Sequence, residues 1–172
     1  MRMSAPDYAA ELGMLIVDHR LRRLADQLLA AEAEVYAQEK VAFEPRWTST
    51  FLLLEQEGPL PVTALAGMLR LTHPAVIKLT NAMIEANLVT DTADANDNRR
   101  RLLGLTPRAR RLSPSLHRLW DALTETHREI FRQAGCNVLE MIHRVEDQLT
   151  RRPLAQRVAH RLNKESSGTK RT

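Results

Sequence analysis

A mainly α fold with one small β-hairpin is predicted from three observations. Apolar residues recur at helical spacing through most of the chain, in stretches bounded by Pro, Gly, Thr and Asn. One polar stretch, Ala93 to Asn98, breaks that pattern between two runs short enough to be strands. Just before it, Leu60 to Leu69 and the run after Thr72 read as two helices joined by a tight turn. Helix, turn, helix and hairpin in that order form a winged helix-turn-helix, a module that reads duplex DNA. Amphipathic helical segments flank it on both sides.

The first helix is expected from Tyr8 to about Gln38, with residues 1 to 7 frayed. Leu12, Leu15, Ile16, Leu24, Leu28, Ala31 and Val35 follow helical spacing, and Val17, Leu21 and Leu29 widen the apolar face. A connector, Val41 to Glu44, leads to Pro45, which suits a helix's first turn because its missing N–H costs nothing there. Trp47, Phe51 and Leu54 mark the second helix, and Gly58-Pro59 ends it. Val62, Leu65, Ala66 and Leu69 form the inner face of the third. Thr72 offers a hydroxyl to cap the fourth, Pro74 fits its first turn, and Asn87 suits a left-handed position just past its end. Leu88 to Thr92 and Arg100 to Leu105 are the candidate strands. Thr106 and Pro107 open a fifth helix, in which Pro114 should produce a kink or a restart. Gly135 stops it. A sixth carries Val138 to Leu149, Pro153 interrupts, Leu154 to Leu162 give a final turn or two, and residues 163–172 read as a disordered tail. The segments are then 1–44 (N-terminal dimerisation helix), 45–106 (winged helix-turn-helix), 107–162 (C-terminal dimerisation helices) and 163–172 (tail).

Composition narrows the function classes. The net charge is only +4, yet the pI is near 9.7, and Arg99, Arg100, Arg101, Arg108, Arg110 and Arg111 crowd one window. That asymmetry fits nucleic acid better than the net charge alone does. The single cysteine, Cys136, rules out an intrachain disulfide framework. No apolar run approaches the roughly 20 residues that span a bilayer, and no signal core opens the chain, so a cytoplasmic protein is expected. Glutamates are plentiful but suit helix surfaces. No GxSxG, P-loop or HExxH pattern occurs, so no enzyme activity and no cofactor is expected. His117 and His127 are ten apart, too far on one helix to share a metal ion.

The chemistry lies in the fourth helix and the hairpin tip. A recognition helix presents its N-terminal residues to base edges in the major groove. Lys78 suits guanine O6 and N7, Asn81 an adenine edge or a phosphate, His73 either kind of acceptor, and Ile77 a thymine methyl. The opposite face, Val76, Leu79, Thr80 and Met83, belongs to the core. In the tip, strand alternation puts Arg99 and Arg101 on one face and Arg100 on the other. Such a basic tip suits the minor groove and flanking phosphates. Asp97 is expected to hold an arginine or the turn backbone, fixing Arg99. For both elements the competing reading is a solvated charged surface.

These residues resemble the MarR (multiple antibiotic resistance regulator) family of transcription factors. The likeness runs over about residues 45–112, through Gly58-Pro59-Leu60, Leu65-Ala66, Leu71-Thr72-His73-Pro74-Ala75-Val76, Leu88-Val89, Asp94, Asp97, Arg99 and Leu105-Thr106. It implies a homodimer with interlaced terminal helices and a pseudo-palindromic double-stranded DNA operator. It carries Thr72, His73, Ala75, Lys78 and Asn81 over as helix contacts and Arg99 as the wing arginine. It also implies repression modulated by a small aromatic or anionic effector, bound between the dimerisation helices and the DNA-binding lobe; in this chain the site is expected near Trp47 and the middle of the first helix. There His19, Arg22, Arg23, Arg46 and Trp47 offer cationic and aromatic groups, although all five equally suit an interface or a surface. Departures from the family pattern are Pro61, Arg70 in place of a turn glycine, Ile77, Ala82, and Asp91 in place of an arginine. A left-handed Arg70 would cost roughly 1 kcal/mol. The lack of an N-terminal cysteine argues against thiol sensing. The alternative to a regulator is a winged helix that binds a partner protein and no specific DNA.

Overall fold

The computed structural model describes residues 7–93 and 101–168. The chain forms two compact units, residues 1–120 and 121–172. Compactness divides it inside the fifth expected helix.

In the first unit, α1 (Tyr8–Glu11) gives way to a 3-10 turn, Gly13–Ile16, before α2 (Val17–Gln38). The single helix expected from Tyr8 is thus broken. Gly13 sits at φ +55°, a left-handed conformation that costs glycine little and ends a right-handed run. A 3-10 turn, Pro45–Trp47, leads into α3 (Thr48–Glu57). Gly58, at φ 79° and ψ −159°, closes α3 in a conformation that a side chain would forbid. Then come α4 (Val62–Leu69) and α5 (His73–Glu85), followed by β1 (Val89–Ala93) and β2 (Arg101–Leu105). The strands pair antiparallel with Val89 opposite Leu105 and Ala93 opposite Arg101. Leu60 adds a one-residue bridge to β2 that the sequence does not announce, exchanging two backbone hydrogen bonds with Leu103 at 2.9 and 2.8 Å. Gly104 lets this bridge approach, because a Cβ there would meet Pro59 Cγ at 3.2 Å. Next, α6 (Pro107–Gln133) runs through Pro114 as one helix.

The aromatic residues are few but concentrated. Four of the other six surround Phe43, whose ring centroid lies 5.5 Å from Tyr36, 5.6 Å from Trp47, 5.6 Å from Phe51 and 5.8 Å from Trp120. Mostly edge-on pairs of this kind add about 0.5–1.5 kcal/mol each beyond area burial. The connector, α2, α3 and α6 therefore share one core. Beside it Glu55 of α3 accepts hydrogen bonds from Ser113 Oγ and, at 2.7 Å, from His117 Nε2, both on α6. Burial alone would raise the Glu55 carboxyl. The Ser113 and His117 bonds outweigh that effect and hold it below its ordinary value.

In the second unit, Gly135 at φ 67° ends α6, and Asn137 caps α7 (Val138–Arg151) by accepting from the Glu140 amide at 3.3 Å. Arg152-Pro153 breaks the run before α8 (Leu154–Gly168). Residues 163–168 are therefore helical where the sequence suggests a disordered tail; the remaining tail residues lie outside the described ones. Leu139, Ile142, Val145, Leu149, Leu154, Val158 and Leu162 are all exposed in this unit. Among the described residues, no helix is long and apolar enough to cross a membrane.

Candidate nucleic-acid interface

The turn between α4 and α5 is set by one residue. Arg70 adopts φ 52° and ψ 39°, the left-handed conformation expected there, and its amide reaches back to the Gly67 carbonyl at 3.3 Å. The Leu71 amide closes the same turn on Ala66 at 3.0 Å. Thr72 then caps α5, its hydroxyl accepting from the Ala75 amide at 3.4 Å, and Pro74 sits in the first turn, where no N–H is needed. At the other end Asn87 takes φ 55°, also as expected. Two later residues hold that end. Arg108 donates to the Ala86 carbonyl at 2.6 Å and Thr106 to the Asn87 carbonyl at 2.9 Å. The start of α6 thus satisfies carbonyls that α5 leaves open, and a cation suits a helix C-terminus.

Two faces result. Val76, Thr80 and Met83 are buried, and Leu79 is half-buried. Thr80 satisfies its hydroxyl on the Val76 carbonyl at 2.9 Å. On the opposite side Thr72, His73, Ala75, Ile77, Lys78 and Asn81 are all exposed, so the helix presents one continuous face. Ala82, one of the departures from the family pattern, is half-buried rather than part of that face.

The wing is described only in part. Asp97, Arg99 and Arg100 lie outside the described residues, as does the tip that carries them. Arg101 is described, and it is not free. Its Nε donates to Asp91 Oδ1 at 2.8 Å and its Nη2 to the Asp91 carbonyl at 3.1 Å. The sequence places Arg101 among the DNA-binding residues and gives Asp97 the task of holding an arginine or the turn backbone. Cross-strand geometry instead puts Asp91 within reach of Arg101.

Three of the five expected effector residues share one concavity. His19, Arg22 and Arg23 line a concavity of about 380 Å³ along α2, together with Asp26, Gln27 and Ala30. Arg23 is forked onto the Asp7 carboxylate at 3.0 and 2.6 Å, which holds that carboxyl below its ordinary range. Arg46 and Trp47 are absent from this lining. Arg46 pairs with Glu44 at 3.0 Å, and Trp47, 5% exposed, is used in the aromatic core. Among the described residues no group of His, Cys, Asp and Glu is placed to hold a metal ion.

No protein-family profile and no curated protein sequence matches the chain. Solved structures do. The chain is similar to the transcriptional repressor CouR bound to a 23-mer DNA duplex, with 23% identity, a TM-score of 0.59, and coverage of 78% of this chain and 96% of that one. It is similar to MepR of S. aureus in a DNA complex, with 22% identity, a TM-score of 0.57, and coverage of 73% and 96%. It is similar to BpsR of Bordetella bronchiseptica, whose DNA binding is regulated by 6-hydroxynicotinic acid, with 19% identity, a TM-score of 0.57, and coverage of 78% and 91%. All three are MarR-family winged-helix regulators. The capped α5, the hairpin with its Leu60–Leu103 bridge and these likenesses together show that the chain has the fold of the MarR-family winged-helix regulators.

Proposed function

We propose that the protein is a homodimeric, DNA-binding transcriptional regulator that reads a pseudo-palindromic operator with the exposed face of α5. The single observation that carries this reading is the division of α5. Its core face is sealed by Val76, Thr80 and Met83. Thr72, His73, Ala75, Ile77, Lys78 and Asn81 stand together in solvent at the helix's leading end. They carry the donors and the apolar contact that a major groove accepts. The basic wing, Arg99 and Arg100 with it, then takes the adjacent minor groove or phosphates.

Dimerisation follows from uncovered apolar surface. Met14 and Leu15 are about four-fifths exposed (80% and 81%), Leu139 is 77% exposed, and Ile142, Val145 and Leu149 repeat along α7. Apolar faces on this scale ask for a partner surface, and a second copy of the chain supplies a complementary one. Regulation by a small aromatic or anionic effector rests on BpsR by likeness and on the cationic concavity of His19, Arg22 and Arg23. Repression is the regulatory sense that CouR supports by likeness.

Selection of bound duplexes from a random pool tests the reading. The expected product is a family of duplexes with two related half-sites about one helical turn apart. Recovery of unrelated sequences, with binding to a protein partner instead, would favour a protein-interaction winged helix. Light scattering at micromolar concentration is expected to give twice the chain mass of 19.6 kDa; a monomer would contradict the dimer.

A further inference from the structure

The hairpin carries an ion pair that DNA binding alone does not explain. Val89, Asp91 and Ala93 of β1 stand directly opposite Leu105, Leu103 and Arg101 of β2, so these six side chains share one face. The inner part of that face is apolar and buried, with Val89, Leu103 and Leu105 each 5% exposed or less. Where it leaves the core it becomes charged. Arg101 sends Nε to the Asp91 carboxylate and Nη2 to the Asp91 backbone carbonyl. Two bonds to one residue fix the guanidinium plane and leave Nη1 without an acceptor among the described residues. Both side chains stay accessible, Arg101 at 57% and Asp91 at 36%. An exposed pair of this kind contributes little to stability. Its effect is on orientation and on local charge.

We infer that Asp91 is a specificity-determining positioning residue for DNA recognition by the wing. It aims Arg101 Nη1 in one direction and cancels the arginine's charge toward phosphates elsewhere. This rests on the DNA-binding reading. Non-specific binding grows with the number of phosphates that free cations neutralise, whatever the sequence. A free Arg101 would add to that number on every duplex. A clamped Arg101 beside a carboxylate contributes only where the duplex places an acceptor in line with Nη1. Asp91 therefore weakens binding to arbitrary duplex more than binding to the cognate one. This is discrimination by a repulsive element as well as an attractive one.

Fluorescence anisotropy tests it, using a duplex selected by the wild-type protein and a scrambled duplex of equal length and composition, each titrated across salt. Asp91→Asn is expected to bind the scrambled duplex about fivefold tighter near physiological salt, with a log–log salt slope steeper by about 0.9. Its gain on the selected duplex should be smaller, so the ratio of the two affinities falls. Asp91→Glu keeps the charge and should restore the wild-type ratio. A merely structural role for Asp91 would weaken both duplexes together and leave the slope unchanged, which would overturn the inference. Equal gains on both duplexes, or no change on either, would also overturn it. Wild-type protein that binds no duplex removes the DNA reading itself; wild-type protein that binds, with Asp91→Asn indistinguishable from it, removes only the role of Asp91.

Discussion

The Trp120 indole donates its Nε1–H to the Tyr36 hydroxyl at 2.6 Å, joining α6 to α2 inside the aromatic core. Tyr36 is 1% exposed and Trp120 9%, so neither group has water as a ready substitute. Burial also pushes the Tyr36 phenol up from its ordinary range, which keeps it neutral. Tyr36→Phe keeps the ring and removes the acceptor. It leaves a buried N–H unpaired, and the expected cost is about 1–3 kcal/mol. Thermal melting should show a fall of several degrees, whereas a melt within one degree of wild type would mean that the indole finds another acceptor.

Arg70 stores strain in the turn that orients α5. Its left-handed backbone is where a glycine costs less by about 1 kcal/mol. Arg70→Gly should therefore raise stability by roughly that amount in urea unfolding, with an unchanged denaturant slope. A destabilised variant would show that the Arg70 side chain makes a compensating contact.

The Glu55 cluster predicts a pH dependence with a definite sign. Its folded-state carboxyl lies below the ordinary value of 4.5, so its contribution to stability is present above that value. That contribution is lost as pH falls through the depressed folded value. Glu55→Gln should melt below wild type at about pH 7, and the gap should close toward about pH 3. A gap that persists at acid pH would mean that the loss comes from packing and not from charge.

How much of this was legible in the sequence depends on the range of the interaction. Thr72, Pro74 and Asn87 act on their own turns, and their types alone announce a helix start and a helix end; the left-handed turn at Arg70 is implied only by the family resemblance. The split of α5 into a core face and a solvent face followed from spacing. Gly13 interrupts a long apolar stripe in the sequence, and the helix breaks there. The Leu60–Leu103 bridge, the Asp91–Arg101 pair and the Glu55 cluster join residues 10 to 62 positions apart, and no local pattern encodes them. Trp47 was read for its chemistry, while the packing of Phe43 decided its place.

The central claim is that the exposed face of α5 reads duplex DNA with the wing's arginines beside it. Binding of wild type, Lys78→Ala and Arg99→Ala to a selected duplex, measured across salt, tests it most directly. Wild-type log affinity should fall linearly with log salt. Lys78→Ala should lose about 1–3 kcal/mol on the selected duplex and little on a scrambled one, and Arg99→Ala should weaken both and flatten the slope by about one unit. Salt-independent binding, or two variants that bind as wild type does, would contradict the account.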